Sequence, residues 1–162
     1  DDGWWAGGTA AVIRRIEPDQ DGGDPPDRNG RAAAMGRTLD TGAPLTGGDE
    51  FDEPDFAAVN DLGFPTIPVF AHVRRSRSED PRERIFRRAY NYDAAPSPGA
   101  VSSSGLLFVS FQADVARQFV PIQRRLDELD LLNQWTTPVG SSVFVIPPGC
   151  AATGFIGDTL LP

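Results

Sequence analysis

The stretch from residue 105 to residue 133 constrains the fold more than any other part of the sequence. It opens with an apolar and aromatic run at 106–111 (LLFVSF), which is typical of a central strand buried on both faces. A helical pattern follows at 119–133. At about 100° per residue, its apolar side chains share a stripe of about 80°; these are Phe119, Ile122, Leu126 and Leu129. Together they predict the strand–helix pair of an α+β domain.

The remaining segments extend this plan at both ends. Residues 9–16 and 142–146 are rich in β-branched residues and predict strands, and 31–37 predicts a helix capped by Asn29 or Asp27. Residues 42–67 predict ordered coil with a short helix near 55–60, and 17–30, 76–84 and 94–104 predict loops. The order strand, helix, irregular stretch, strand, helix, strand predicts a ferredoxin-like α+β fold. We expect residues 1–162 to form a single domain.

Composition excludes several classes of function. With 23 acidic and 15 basic residues the formal charge is −8, so we expect no nucleic-acid partner and no anionic membrane partner. No apolar run approaches the ~20 residues that cross a bilayer. One cysteine and one histidine exclude an internal disulfide, a cysteine zinc site and a polyhistidine metal cluster. A transition metal would therefore be held through one imidazole, with its other ligands supplied by a cofactor.

One acidic residue lies on the apolar side of the predicted helix. Asp130 falls about 20° from Phe119 and about 40° from Leu126 on the helical wheel. A carboxylate in that position needs a hydrogen-bond partner, for which an arginine, backbone amides and the single imidazole, His72, are candidates. The alternative is that Asp130 lies in the last helical turn and simply reaches water. A lone histidine such as His72 is more often a surface or core residue than a metal ligand.

Six stretches together carry a family resemblance. They are GWWAGGTAAVIRRI at 3–16, MGRTLDTGAPL at 35–45, AHVRR at 71–75, IFRRAYNYD at 85–93, GLLFVSFQADVARQFVPIQRRLDELDLLNQW at 105–135 and VGSSVFVIPPG at 139–149. In this order and spacing they resemble the C-terminal half of the dye-decolourising peroxidase family. The resemblance covers nearly the whole chain, and it implies a ferredoxin-like domain that carries haem b.

The resemblance implies roles for individual residues at the iron. His72 matches the proximal haem ligand, and Asp130 matches the acid that hydrogen-bonds this histidine and makes it more electron-donating. Arg87 matches the distal arginine, which stabilises negative charge as peroxide is cleaved; the neighbouring Arg88 is the alternative.

Further residues match the surroundings of the haem. Leu106 and Phe108 match the apolar pair that lines the distal pocket. Arg74 and Arg37 are candidates to pair with the haem propionates, because guanidinium groups suit carboxylates. Where the family has a lysine after its Gly-Arg motif this chain has Leu39, which leaves the propionate contacts open.

The resemblance also implies that half of the catalytic unit lies elsewhere. Family members are about twice this length, and their first half carries a Gly-x-x-Asp-Gly motif whose aspartate moves a peroxide proton; the motif does not occur here. We therefore expect a companion chain to supply the N-terminal half and the distal aspartate. A half that stands alone without peroxidase activity is the alternative.

The function implied is a haem peroxidase that uses hydrogen peroxide to oxidise dyes, phenols or another organic reductant. A haem-binding module or carrier without efficient peroxidase activity is the alternative, and a haem-free remnant of the fold is a third possibility. The resemblance implies secretion, while the opening Asp1-Asp2 does not resemble a signal peptide and a cytoplasmic location stays open.

Overall fold

The computed structural model describes residues 5–19, 26–96 and 103–158 of the chain. Four strands and three α-helices occur within these ranges. In chain order they are β1 (Thr9–Pro18), α1 (Arg28–Met35), α2 (His72–Ser76), β2 (Phe86–Ala94), β3 (Ser103–Gln112), α3 (Val120–Leu129) and β4 (Thr136–Ile146). Short helical turns of 3-10 or π type lie at Pro81–Glu83, Val115–Phe119 and Leu131–Gln134.

The chain divides into two compact units. Unit 1 comprises Asp1–Glu17, Arg82–Val120 and Pro138–Pro162, and unit 2 comprises Pro18–Pro81 and Pro121–Thr137. The division does not test the prediction of a single domain.

Unit 1 is built on one four-stranded sheet in the order β2-β3-β1-β4. Strand β3 pairs antiparallel with both β1 and β2. With helices inserted after β1 and after β3, this is the split βαβ arrangement of a ferredoxin-like domain. The predicted α+β fold class is confirmed.

Strand β3 is central, as predicted, but it is not buried on both faces. Only Ser110 and Gln112 of this strand are buried, and the apolar side chains of the 106–111 run are half-buried. An apolar run marks a strand as suited to a core, but the exposure of its side chains depends on what packs against the two faces. Around the buried pair, Gln112 Nε2 donates to the Ala10 carbonyl at 3.1 Å and Ser110 Oγ donates to Gln112 Oε1 at 2.9 Å.

Strand β2 is the element that the predicted order lacks. Its sequence, FRRAYNYDA, has no consistently apolar side, and eight of its nine residues are exposed. An exposed edge strand need not carry an apolar period of two, because neither face is required to be buried. Strand β4 begins at Thr136, six residues before the predicted start, and is also almost wholly exposed.

Helix α1 begins three residues before its predicted start. Asp27, one of the two expected capping residues, accepts a hydrogen bond from the Gly30 amide at 2.7 Å. Such a cap satisfies a free amide of the first turn and so marks the helix start. Just inside the helix, the Arg28 guanidinium hydrogen-bonds Asp40 and lowers the pKa of that carboxyl.

Two helix predictions are corrected. Residues 55–60 form turns, because Asp55 Oδ1 accepts from the Ala57 and Ala58 amides at 2.9 and 3.2 Å and such Asx turns compete with a helix. The predicted helix at 119–133 is divided into a π turn, α3 and a 3-10 turn. Leu129, which was predicted to lie in the apolar stripe of this helix, is 47% exposed.

Most of the described buried residues of unit 2 lie in α1 and in the segment between α1 and α2. Ala34, Ile67 and Ala71 are fully buried, with Ala43 nearly so. Gly36 ends α1 with φ at +78°, and a Cβ on this residue would overlap Val73 and come within 3.1 Å of Ile67 and 3.2 Å of Ala71. The absence of a side chain at Gly36 lets the end of α1 approach the start of α2.

We predict that Gly36→Ala lowers the free energy of unfolding by at least about 2 kcal/mol, because it adds both left-handed strain and a clash in a packed region. Gly47→Ala is the matched control, since Gly47 also has positive φ but a Cβ at this position would meet nothing within 4 Å; it should cost about 1 kcal/mol. Urea denaturation measures both. Equal losses would show that the α1–α2 approach is not tightly packed.

Candidate functional site

Unit 2 brings the single histidine and the core-facing acid into contact. His72 Nδ1 lies 2.6 Å from Asp130 Oδ2, although 58 residues separate them in sequence. The side chain of Asp130 is 3% exposed and that of His72 is 28% exposed. A carboxylate can only accept a hydrogen bond, so the Nδ1–H group of His72 donates the hydrogen bond to Asp130.

Local structure fixes each member of the pair. His72 is the first residue of α2, and Ala71 before it is extended and buried. Asp130 follows α3 and caps the next 3-10 turn, where its Oδ1 accepts from the Leu132 amide at 3.1 Å. Both carboxylate oxygens therefore have a donor, and this offsets the cost of burying the charge.

The alternative in which Asp130 reaches water is wrong, because the side chain is buried. Of the partners proposed for Asp130, the imidazole and a backbone amide both form hydrogen bonds with its carboxylate. The capping role was missed in the sequence. The signal for it was an aspartate at the point where the apolar helical stripe ends, which is a usual position for a cap.

The pairing prepares the other ring nitrogen of His72 for a ligand. Within the described ranges no hydrogen bond involves Nε2, and in the neutral tautomer that carries its proton on Nδ1 this second nitrogen has a lone pair that can bind a metal. The described residues contain no group of three or more histidine, cysteine or acidic side chains that could hold a metal ion. The donor set therefore fits a metal held at a single imidazole, with its other ligands carried by a cofactor.

The two candidate propionate ligands are engaged with the backbone of unit 2. Arg37 Nη1 donates to the carbonyls of Gly42 and Glu50 at 2.6 and 2.8 Å. Arg74 donates through Nε and Nη2 to the Ile67 carbonyl at 3.1 and 2.9 Å, and through Nη2 to the Phe56 carbonyl at 2.8 Å. These bonds order the coil at 42–67, and the propionate role of both arginines stays a prediction.

The candidate distal residues lie together on the sheet of unit 1. Strand register pairs Arg87 with Ser110 and Ala89 with Phe108. Because paired residues of antiparallel strands point to the same face and successive residues alternate, Arg87, Phe108 and Leu106 share one face. The Phe108 ring contacts the Phe119 ring, with centroids 6.2 Å apart.

Arg88 lies on the opposite face of the sheet. It pairs in register with Val109, its Nε donates to the Tyr90 hydroxyl at 3.0 Å, and its guanidinium lies 5.9 Å from the Tyr90 ring centroid. The register thus separates the two arginines that the sequence left as alternatives, and it groups Arg87 with the predicted apolar pair.

The family model for the C-terminal part of Dyp-type peroxidases matches residues 1–151. A dye-decolorizing peroxidase of Thermobifida fusca is 40% identical over 146 residues, which cover 89% of this chain and 34% of that protein. The chain belongs to the dye-decolourising (Dyp-type) peroxidase family. The family predicted from the sequence is confirmed.

Two further comparisons agree with this membership. The crystal structure of a Dyp-type peroxidase from Cellulomonas bogoriensis superposes with a TM-score of 0.93 at 55% identity, and covers 99% of this chain and 45% of that one. A protein of Yersinia pestis named deferrochelatase is 33% identical over 162 residues, 98% of this chain and 37% of its own length. The chain spans between about a third and a half of the length of these Dyp-type relatives.

We predict that Asp130→Ala lowers the free energy of unfolding by about 3 kcal/mol, because it removes a helix cap and a buried charge-assisted hydrogen bond to His72. Asp27→Ala is the control. Asp27 also caps a helix in unit 2 but is exposed and holds no imidazole, so about 1 kcal/mol is expected. Chemical denaturation compares the two, and equal costs would mean that the His72 bond adds nothing to stability.

Proposed function

We propose that this chain is the haem-carrying half of a dye-decolourising peroxidase, which oxidises dyes, phenols or other organic reductants with hydrogen peroxide. The observation that carries the proposal is the hydrogen bond between His72 and the buried Asp130 in a member of this family. Haem b, when bound, would supply the redox chemistry of its iron.

His72 would hold the iron through Nε2. A negatively charged Asp130 pulls on the Nδ1 proton and so gives the ring the character of an imidazolate, which makes it a stronger donor to a metal. The bond also fixes the tautomer and the plane of the ring. These properties favour oxidised states of the metal, as a peroxidase requires.

Arg87 would act where peroxide oxygen becomes negatively charged. A positively charged guanidinium can stabilise a developing anion. Phe108 and Leu106, on the same face of the sheet, would exclude water and restrict the site to small oxidants. The shared face supports Arg87 over Arg88 in this role.

A companion chain would complete the site by adding the N-terminal half of the family and its distal aspartate. Two observations support this. The chain spans only 34% to 45% of the length of its relatives, and the edge strands of its sheet expose large apolar side chains. Those on β2 and β4 are Phe86, Tyr90, Val139, Val143, Phe144, Val145 and Ile146. Exposed apolar surface of this kind is typical of a face that another element covers.

A second candidate is a haem-binding module that handles haem without efficient peroxidase activity. It is favoured by the relative named deferrochelatase, which matches 98% of this chain. Both candidates use His72, and they differ in whether Arg87 and the companion chain are needed. Secretion stays a prediction in either case. Among the described residues, no helix is sufficiently long and apolar to cross a membrane.

We predict that the chain gains an intense Soret absorption band when titrated with haem, and that His72→Ala loses this band because it removes the single imidazole. Cys150→Ser is the control, since the Cys150 thiol is a soft ligand of the kind that can bind haem iron and is exposed. Its spectrum should match the parent. A parent chain that stays colourless would exclude both candidate functions.

We predict that Arg87→Ala lowers anthraquinone-dye turnover with peroxide by about a hundredfold or more while haem stays bound, because it removes the charge that stabilises the developing anion. The assay uses the haem-loaded chain with its companion, whose presence is checked by native mass spectrometry. Arg88→Ala, on the opposite face, should retain most activity. A reversed order would assign the distal role to Arg88, and no turnover by the parent complex would favour the haem-binding module.

A further inference from the structure

The pair of His72 and Asp130 lies between two short segments of unit 2 that run past each other. One segment is the start of α2 with the residues before it, and the other is the end of α3 with the residues after it. On one side of the pair, the Leu131 amide donates to the Phe70 carbonyl at 3.1 Å. This backbone bond joins the two segments. It lies at the residue after Asp130 in one segment and two residues before His72 in the other.

On the other side of the pair a side chain makes the connection. Arg75, one helical turn after His72, donates through Nε to the Arg125 carbonyl at 2.9 Å and through Nη2 to Glu128 Oε2 at 3.0 Å. In return, Arg125 Nε approaches the Arg75 carbonyl at 3.4 Å. The guanidinium thus spans the last turns of α3, which lead directly to Asp130.

The two bonds of Arg75 differ in environment. The Arg75 side chain is 21% exposed, whereas Glu128 is 69% exposed, and an ion pair at such an exposed carboxylate contributes little. The bond to the Arg125 carbonyl is partly buried, so water competes with it less than with the exposed ion pair. The carbonyl bond is therefore the main connection.

Helix α2 depends on such connections because it is only five residues long and has no side-chain cap at Ala71. A helix this short does not hold its own position in water. The neighbouring Arg74 hydrogen-bonds the carbonyls of Ile67 and Phe56 in the preceding coil. These bonds hold α2 against the coil, but they do not fix the position of His72 relative to α3. Among the described side chains of α2, Arg75 hydrogen-bonds α3 itself.

We propose that Arg75 is a positioning residue, which holds α2 against the end of α3 and so keeps His72 Nδ1 at hydrogen-bonding distance from Asp130. The consequence for the iron rests on the proposed function: the strength of the Nδ1 bond sets how strongly His72 donates through Nε2. The geometric part concerns unit 2 alone and can be tested without haem.

The single histidine makes a direct test available. In the ¹⁵N-labelled chain, the imidazole Nδ1–H of His72 gives one proton signal, shifted downfield by the bond to Asp130. We expect Arg75→Ala to move this signal upfield and to speed its exchange with solvent by about tenfold, because one charge-assisted hydrogen bond that closes the α2–α3 contact is lost. Circular dichroism checks that the variant is folded.

Three further variants separate positioning from a general loss of structure. Glu128→Gln keeps the carbonyl bond, so the signal should stay near that of the parent. Arg75→Lys has a single donor nitrogen and cannot reach both acceptors in the same way, so an intermediate shift is expected, and it replaces Arg75→Ala if that variant does not fold. Arg77→Ala is the matched control, because Arg77 pairs with the exposed Glu53 at 2.8 Å, and no change is expected.

The haem-loaded chain gives an independent reading. Arg75→Ala should retain the Soret band, lower the iron–histidine stretching frequency in the ferrous form and raise the midpoint potential of the iron, because His72 becomes a weaker donor. A folded Arg75→Ala or Arg75→Lys with an unchanged Nδ1 signal would overturn the positioning role. A parent chain that binds no haem would overturn the proposed function and leave the Nδ1 result standing.

Discussion

Burying Asp130 is the constraint around which unit 2 is arranged. An ionised carboxylate 3% exposed to solvent is costly unless donors replace the lost water. The Leu132 amide satisfies one oxygen and His72 the other. His72, the second donor, is 58 positions from Asp130 in sequence. Helix α2 must therefore be held where the imidazole can reach the carboxylate. The Phe70–Leu131 bond and the Arg75 bonds to α3 do this, and Gly36 lets α1 pack closely behind α2.

The two units contribute different chemistry. Unit 2 presents an imidazole whose Nδ1 is hydrogen-bonded to Asp130, and in the proposed function Nε2 would bind the iron. Unit 1 presents a sheet face on which Arg87 lies on the same side as Phe108 and Leu106, and it keeps Arg88 on the other face against Tyr90. In the proposed function, His72 and Asp130 would supply the metal ligand and its tuning, and Arg87 would supply positive charge.

The exposed strands relate the chain to its longer relatives. Strands β2 and β4 form the two edges of the sheet and carry large exposed apolar residues. An edge with such residues favours association with another element. A chain that covers under half of the matched relatives would leave uncovered any surface that the rest of those proteins contacts.

Sequence patterns determined the elements whose signal is local: β1, β3, the cap of α1, and the presence of an acid on the apolar side of the segment that follows β3. They did not determine Asp130's partner, since a helical wheel shows which way a side chain points but not which residue, 58 positions away, the fold brings to it. The family motifs indicated His72 as the partner of Asp130, and the tertiary structure showed the contact between the two side chains. Strand β2 was missed because an exposed edge has no apolar period to detect. Only the register of β2 with β3 distinguishes Arg87 from Arg88, because two adjacent arginines in a strand point to opposite faces of the sheet.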